Sequence, residues 1–318
     1  MLVSQQQALV GVTSHTAYED GGMRECKLDG YNEIATKYGK LIPRYQGLGK
    51  REKDMRALSF HPGGALKSIY LEDQTEVETS VGVFPAELIT FFASGEIDSL
   101  FPLNGQIGFG WSEEDEKQLT RVFSFDLPCG QFAARIIALR FFESGGLRSL
   151  ILWPGEVIEL DTPLGRLPVR IGFRLYEHGG LESLEPALPI VLKTPVGEVT
   201  AFDQHAVGID ADFNSVRFDE NGKLSFLCTN SDIVVNNRIS GKREIVYQHM
   251  RLDRLANKLT KVPVTLSFRD GGVTIDNGVE ALARNTEECG FLCLYDGNFT
   301  EKKCSPGSDC SDCGSACI

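Results

Sequence analysis

The chain has 318 residues and a formal net charge of −12 at neutral pH. A chain of this length can bury a sizeable core and can form two domains. Because a uniformly acidic protein repels polyanions, we do not expect a nucleic acid or an anionic membrane as its partner.

The opening of the chain and its hydropathy predict its location. Residues 1–7 (MLVSQQQ) lack the basic and apolar regions of a signal peptide. Nowhere does the sequence approach the run of about 18 apolar residues that a membrane-spanning helix requires. We therefore expect a cytoplasmic protein that binds no membrane.

From about residue 17 onward, short segments repeat one glycine pattern. Each glycine stands four residues after an apolar or small residue and two residues before an apolar one. The clearest copy is residues 139–150 (LRFFESGGLRSL), which predicts a β-hairpin. Glycine is required because the turn contains one residue with positive φ. The six turn glycines are Gly21, Gly64, Gly95, Gly145, Gly179 and Gly222.

A second hairpin motif, Thr-x-x-Gly, follows the first in most repeats, with a looser copy (residues 127–132) that lacks the threonine. The glycines of this second motif are Gly39, Gly82, Gly130, Gly165 and Gly197. The two glycines of a repeat are 18 residues apart in repeats 1, 2 and 5 and 20 apart in repeat 4. In repeat 3 the distance is 35 because an acidic insert lies near residues 111–120. In repeat 6, Gly241 follows the turn glycine after 19 residues, but the residues around it do not match the second motif.

These repeats predict a mainly β fold of stacked antiparallel hairpins over residues 1–241, as an elongated single-layer sheet or a solenoid. One repeat is too small to bury its own apolar face, so neighbouring repeats must cover it. Within the acidic insert, Ser112 precedes acidic residues and predicts the start of a short helix.

Residues 242–318 have a different character, and we expect them to form a small α/β module with a cysteine-rich tail. Leu252, Leu255, Ala256 and Leu259 follow the i, i+3, i+4, i+7 spacing of a helix that ends at Pro263. Residues 238–261 contain seven basic and two acidic side chains. We interpret this segment as a docked surface helix or as a contact for an anion or a partner. Residues 264–275 predict a further hairpin that caps the array.

The first hairpin motif resembles MORN repeats and, more closely, the MORN-variant hairpin repeats of bacterial proteins described as antitoxin components. Its aromatic-x-x-x-Gly-x-Leu pattern is carried by Phe60/Gly64/Leu66, Phe91/Gly95/Ile97, Phe141/Gly145/Leu147, Leu175/Gly179/Leu181 and Phe218/Gly222/Leu224. The resemblance covers about residues 17–241. The chain differs from that family in having longer repeats and the additional Thr-Pro-x-Gly motif. It implies an elongated sheet used for binding, and no catalytic residues.

Six of the nine cysteines crowd the last 30 residues of the chain. They are Cys289, Cys293, Cys304, Cys310, Cys313 and Cys317. Two cysteines in C-x2-C spacing can reach one metal ion from a single turn, and thiolates favour zinc and iron–sulfur clusters. We predict that these six cysteines bind zinc or an iron–sulfur cluster. Disulfides, a redox dithiol and a flexible thiol-rich tail remain alternatives.

Other candidate residues are sparse. We expect Cys26, Cys129 and Cys228 to be small buried hydrophobic residues. A weak candidate for a metal or acid–base group is Asp203 and His205 with Asp210 and Asp212. Nucleophile-elbow, phosphate-loop and dinucleotide motifs are absent from the sequence.

The leading hypothesis is a non-enzymatic repeat scaffold that binds a protein or ligand and has a C-terminal cysteine cluster. The alternative is a metal- or iron–sulfur-binding protein with a redox or sensing role, for which the repeats are a frame. A hydrolase built on the sheet is the third possibility. We expect a protein partner whose identity the sequence does not reveal.

Overall fold

The computed structural model describes residues 9–46, 56–104, 112–206, 214–253 and 257–295. These residues form 27 strands and one short helix, so the predicted mainly β fold is confirmed. The chain divides into two compact units. Unit 1 comprises Met1–Trp153 and Gly172–Gly180, and unit 2 comprises Pro154–Ile171 and Leu181–Ile318. The division lies within the repeat array.

The first twelve strands and the helix belong to unit 1. They are β1 (Val12–Ala17), β2 (Met23–Leu28), β3 (Ile34–Thr36), β4 (Gly39–Leu41), β5 (Leu58–Phe60), β6 (Leu66–Thr79), β7 (Gly82–Phe91), β8 (Ile97–Phe101), α1 (Glu113–Lys117), β9 (Phe123–Leu127), β10 (Gly130–Ala134), β11 (Ile136–Phe141) and β12 (Leu147–Leu152). Strand β13 (Ile158–Thr162) belongs to unit 2. Strand β14 (Gly165–Leu175) is divided, with its residues up to Ile171 in unit 2 and those from Gly172 in unit 1.

Strands β15 to β27 lie in unit 2. They are β15 (Leu181–Pro186), β16 (Ile190–Thr194), β17 (Gly197–Ala201), β18 (Val216–Phe218), β19 (Leu224–Thr229), β20 (Ser231–Asn237), β21 (Arg243–Val246), β22 (His249–Asp253), β23 (Lys258–Val262), β24 (Val264–Arg269), β25 (Gly272–Asp276), β26 (Ala281–Asn285) and β27 (Cys289–Tyr295).

Each unit contains one large sheet and several separate hairpins. In unit 1 the sheet has the antiparallel order β1-β2-β5-β6-β7-β8-β11-β12-β14. In unit 2 the order is β15-β18-β19-β24-β25-β26, again antiparallel. The separate sheets are β3–β4, β9–β10, β16–β17, β21-β20-β27 and β22–β23. The first hairpin motifs therefore supply most strands of the large sheets, which in unit 2 also include β24, β25 and β26 from beyond the repeats. Three of the five second motifs form hairpins of their own.

The first hairpin motif folds into the same turn in all six repeats. In repeat 4, the backbone N–H of Phe142 donates to the carbonyl of Gly146, and that of Gly145 donates to the carbonyl of Phe142, each at 2.8 Å. The six turn glycines have φ between 76° and 89°. The predicted need for glycine is confirmed, because a side chain at this φ is strained.

The threonine of the second motif stabilises its own turn. The Oγ1 atom of Thr162 accepts a hydrogen bond from the backbone N–H of Leu164 (3.1 Å) and donates one to the carbonyl of Gly165 (2.6 Å). The same two bonds recur at Thr36, Thr79 and Thr194. The threonine of the Thr-x-x-Gly pattern therefore has a structural role, because its hydroxyl forms hydrogen bonds with the backbone where the chain reverses direction.

One row of cross-strand partners forms the core of each large sheet. In unit 1 the row is Cys26, Leu58, Ile69, Ile89, Leu100, Leu139, Leu150 and Phe173. In unit 2 it is Leu184, Val216, Leu227, Leu266 and Ile275. Every member is at most 1% exposed. Because side chains alternate between faces along a strand, one apolar position per strand is enough to build this row.

The second hairpins lie over the apolar face of the sheet, so the expectation of a single layer is wrong. In unit 1, Phe132 of β10 meets Phe173 of β14 edge-on, with ring centroids 6.0 Å apart. Tyr38, from the first repeat, packs against Phe91 of β7 at 6.3 Å. An apolar sheet face requires such a cover, and in unit 1 the second hairpins of repeats 1 and 3 contribute to it.

These covering hairpins also reach past the neighbouring repeat. The hydroxyl of Tyr38 in repeat 1 accepts a hydrogen bond from the backbone N–H of Ile97 in repeat 3 (3.2 Å). The Cγ of Pro128 in repeat 3 lies 3.6 Å from the position of a Cβ on Gly179 in repeat 5. Second hairpins therefore also brace repeats two positions along the chain.

Helix α1 confirms the prediction for the acidic insert. The Oγ of Ser112 accepts from the backbone N–H of Asp115 (3.2 Å), and Asp115 Oδ2 accepts from the backbone N–H of Ser112 (2.9 Å). This reciprocal pair is a capping box. Among the described residues, no helix has the length and apolar character needed to span a bilayer.

The helix predicted around residues 252–259 is wrong at Leu252 and Leu259, which lie in strands, whereas Leu255 and Ala256 lie outside the described residues. The described residues there form the antiparallel hairpin β22–β23, in which Leu252 and Leu259 are cross-strand partners. Asn257 has a positive φ of 47°, which ends any helix at that point. The hairpin predicted for residues 264–275 is confirmed as β24–β25.

Candidate functional site

The structure describes two of the six cysteines predicted to bind metal. Cys289 and Cys293 lie on β27, opposite Asn237 and Ile233 of β20. Cys289 is buried and Cys293 is half-buried. The other four, Cys304, Cys310, Cys313 and Cys317, lie outside the described residues.

The strand geometry keeps the two described cysteines apart. Four residues along a strand span about 13 Å, whereas two sulfurs on one zinc ion are at most about 4.6 Å apart. Burial also raises the pKa of the Cys293 thiol to about 11, which opposes formation of the thiolate that a metal binds. Within the part of the chain that the structure describes, no group of three or more His, Cys, Asp or Glu side chains could hold a metal ion.

The scattered cysteines have the expected environments. Cys26 and Cys129 are buried and Cys228 is half-buried. Burial raises the pKa of Cys26 to about 11 and that of Cys228 to about 12. These thiols are therefore protonated at neutral pH and have little nucleophilic character.

The weak Asp203/His205 candidate lies in a turn after β17. The backbone N–H of His205 donates to Asp203 Oδ1 at 2.8 Å, and the His205 ring nitrogen Nε2 lies 2.9 Å from the Gln204 side-chain nitrogen. Asp210 and Asp212 lie outside the described residues. The Asp203 carbonyl, however, accepts a hydrogen bond from Arg170, which belongs to a polar cluster that was not predicted from the sequence.

That cluster is centred on Glu185 in unit 2. Glu185 is 1% exposed, and its Oε2 accepts a hydrogen bond from the backbone N–H of Ser215 at 2.8 Å. Its Oε1 lies 3.6 Å from Nη2 of Arg170, beyond hydrogen-bond distance. Arg170 also donates to the carbonyls of Asp203 (2.8 Å) and Pro186 (3.2 Å). One guanidinium therefore ties β14, the end of β15 and the turn after β17 together.

Burial makes the Glu185 carboxyl easy to protonate. Burial raises the pKa of Glu185 to about 7, and the negative charge of Asp203 acts in the same direction. The hydrogen bonds from Ser215 and the positive charge of Arg170 lower this pKa, but their effect is smaller than that of burial. The thiol of Cys228 faces the same carboxylates, whose charges help to raise its pKa. A buried acid that titrates near neutrality is a functional-site candidate. Glu185 is only 1% exposed, however, and cannot contact a substrate. Its protonation can therefore affect only the stability of the folded protein.

A sequence signal for Glu185 existed. Six residues after the turn glycine, repeats 2, 3 and 4 carry Tyr70, Phe101 and Ile151, and repeat 5 carries Glu185. Tyr70 and Ile151 are buried. Repeat 1 has Lys27 at this position and repeat 6 has Cys228. A carboxylate where repeats 2, 3 and 4 have an apolar side chain indicates a buried charge, and alignment of these repeats reveals it.

A second candidate is the hairpin β22–β23 in unit 2, which is exposed on both faces. On one face, the cross-strand register places Lys261 opposite Met250, and the apolar side chains there are Met250, Leu252 and Leu259. These three apolar side chains are 44%, 51% and 59% exposed. The opposite face carries Arg251 and Lys258, both exposed, and the cross-strand partner of Lys258 is Asp253. Among its described residues the hairpin has no buried side chain.

The hairpins formed by the second motif differ sharply from β22–β23. In β16–β17 the equivalent cross-strand pair is Leu192 and Val199, which are 5% and 1% exposed. In β13–β14, Ile158 and Leu160 are 4% and 0% exposed. An isolated two-stranded ribbon is marginally stable in water. Hairpin β22–β23 therefore presents an apolar face with no cover among the described residues.

A shallow cleft beside α1 in unit 1 is a poor candidate. It encloses about 10 Å³, roughly the room that one water molecule needs. Its lining residues are Gln74, Pro85, Pro102, Leu103, Leu119, Thr120, Arg121, Phe123 and Ile136. Sites for small molecules usually enclose about 300–1,000 Å³, so this cleft is too small to hold one.

Comparison with known proteins finds no matching family model, no matching curated protein and no matching solved structure.

Proposed function

We propose that the protein is a non-enzymatic binding scaffold and that its partner, a protein, contacts the hairpin β22–β23. The observation that carries the proposal is the exposed cross-strand pair Leu252/Leu259 on a hairpin that buries none of its described side chains. Exposed contiguous apolar side chains rimmed by polar ones are typical of protein–protein interaction sites. The MORN-type resemblance and its implied role in binding belong to this proposal.

The rest of the fold supports the role of a frame. The core rows are at most 1% exposed and the second hairpins brace repeats two positions along. A frame of this kind holds a surface element in place with little rearrangement, which favours binding. We also propose that it acts in the cytoplasm, because the five described cysteines are all free, as expected in a reducing compartment.

In-cell photo-crosslinking tests this proposal. A photoreactive amino acid at Leu252 should give a discrete adduct with one partner protein. The same amino acid at Val191, which is 64% exposed on the packed hairpin β16–β17, serves as the matched control and should give no such adduct. The absence of an adduct at residue 252, or the same adducts from both positions, would argue against the proposal.

A metal-binding role for the tail is a second proposal. It is favoured by the density of Cys304, Cys310, Cys313 and Cys317, four thiols within 14 positions that include one C-x2-C pair. Zinc or an iron–sulfur cluster is the expected cofactor. The strand positions of Cys289 and Cys293 limit the predicted ligands to these four plus at most one of the strand cysteines. Metal analysis of anaerobically purified protein tests it.

A further inference from the structure

The hairpin β22–β23 has two faces of different chemistry and two unpaired edges. Within the described part of the chain, β22 and β23 pair only with each other. Among the described residues, the outer edge of each strand therefore has no strand partner for its backbone N–H and carbonyl groups. Such edges accept an added strand from another chain, with main-chain hydrogen bonds that provide affinity and alternate side chains that provide specificity.

We propose that the edge of β22–β23 accepts an extended segment of the partner protein in which apolar and acidic side chains alternate. This inference rests on the proposed function and names the chemistry of the partner. Successive side chains of an added strand point to opposite faces of the sheet. One set then lies beside Met250, Leu252 and Leu259, with Lys261 at the end of that face, and the other lies beside Arg251 and Lys258, whose cross-strand partner is Asp253.

The charge distribution selects an acidic segment. The described residues of the hairpin, 249–253 and 257–262, include three basic residues and one acidic one, in a chain with a net charge of −12. An acidic segment is attracted to the hairpin and repelled by the rest of the protein, which confines it to this site. A second copy of the hairpin is disfavoured by like charge. Duplex DNA and anionic membranes are repelled by the acidic body over a much larger area.

Fluorescence anisotropy on the purified full chain tests the inference. The probe is a labelled peptide of about eight residues that alternates valine and glutamate, a length that covers a five-residue strand with both ends free. One control peptide has the same composition in two blocks, and another has lysine in place of glutamate. We expect saturable binding of the alternating acidic peptide and at least about 10-fold weaker binding of both controls.

Two double variants locate the contact. Leu252→Thr with Leu259→Thr removes the apolar face and keeps β-propensity, and Arg251→Glu with Lys258→Glu reverses the basic face. Each double variant should bind the alternating peptide at least about 10-fold more weakly than the wild type, whereas Val191→Thr should leave the affinity unchanged. All three proteins should show the far-UV spectrum of the wild type, which confirms that they are folded.

Several results would overturn the inference. They are equal binding of the block peptide, no saturation up to about 1 mM peptide, and affinity unchanged in both double variants. Phosphatidylserine vesicles or duplex DNA that bind the wild type through these residues in place of the peptide would also overturn it. If the peptide fails while crosslinking from residue 252 still captures one partner protein, the binding scaffold stands and only the alternating acidic segment is wrong.

Discussion

Pro163 and Gly222 are in direct contact although they belong to repeats 4 and 6. The Cγ of Pro163 lies 3.2 Å from the position that a Cβ on Gly222 would occupy, and Gly222 has a φ of 76°. The second-hairpin turn of repeat 4 therefore rests on the first-hairpin turn of repeat 6. This contact makes glycine necessary at residue 222 for two reasons, whereas Gly145 has no atom within 4 Å of its hypothetical Cβ.

The first prediction compares these two glycines. Gly145→Ala should lower the free energy of unfolding by about 1 kcal/mol, because alanine is strained at positive φ. Gly222→Ala should lower it by about 1–2 kcal/mol more, because the added methyl group is too close to Pro163. Urea unfolding measures both. Adding Pro163→Ala should recover the extra loss at residue 222, and equal losses at the two glycines would show that the contact is unimportant.

The second prediction concerns the threonine of the second motif. Thr162→Val removes both hydrogen bonds of the hydroxyl and should lower the free energy of unfolding by about 1 kcal/mol. Thr162→Ser retains the hydroxyl and should cost at most about half as much. Chemical denaturation distinguishes them. If the valine variant is as stable as the serine variant, the hydroxyl does not stabilise the turn.

The repeat pattern predicted the hairpins well because its signals are local. A turn glycine such as Gly145 depends only on the φ of one residue, and the Ser112 cap depends on atoms three residues away. The helix around residues 252–259 was wrong because Leu252 and Leu259, seven residues apart, suit a helical stripe and also a hairpin whose turn lies between them. Thr260 and Val262 favour the strand, as β-branched residues do.

The second layer and the Glu185 cluster could not be predicted in the same way. Arg170 and Glu185 come from separate strands and Ser215 from the residues just before β18, and only the folded register brings them together. The cover of Phe173 by Phe132 likewise depends on the direction in which the second hairpin leaves the sheet. Sequence periodicity identifies which side chains are buried, but it does not identify their contacts across distant strands.

The third prediction is a pH dependence that comes from Glu185. Its folded-state pKa is raised from 4.5 to about 7, so between these values the folded protein holds a proton that the unfolded chain releases. Stability from this group is therefore full below about pH 4.5 and falls as the pH rises through about 7, by up to about 3 kcal/mol. The charged and titratable groups that face it are Arg170, Asp203 and Cys228.

Glu185→Gln isolates this effect. Glutamine can still accept the hydrogen bond from Ser215 and does not titrate. The difference in melting temperature between the glutamine variant and the wild type should therefore grow in favour of the variant from pH 5 to pH 8. Glu177→Gln, at an exposed carboxylate, is the control and should leave the wild-type profile unchanged. Parallel profiles for wild type and Glu185→Gln would exclude the assigned role.

The fourth prediction concerns the cysteine tail. Protein purified anaerobically should contain zinc or iron, and Cys310→Ser with Cys313→Ser should abolish the metal because it removes the C-x2-C pair. Cys293→Ser should retain at least about half of the metal, since burial disfavours its thiolate. Elemental analysis gives the readout. Metal-free wild-type protein with freely titrating tail thiols would show that the tail is not a metal site.

The most direct test of the central claim is the unfolding free energy of two matched double variants. The claim is that β22–β23 serves binding and contributes little to the fold. Leu252→Thr with Leu259→Thr changes an exposed cross-strand pair, and Leu192→Thr with Val199→Thr changes the equivalent buried pair of β16–β17. We predict a loss within about 0.5 kcal/mol for the first and at least about 3 kcal/mol for the second. A comparable loss in both variants would show that β22–β23 is packed into the core, and it would contradict the assignment of this hairpin as the binding surface.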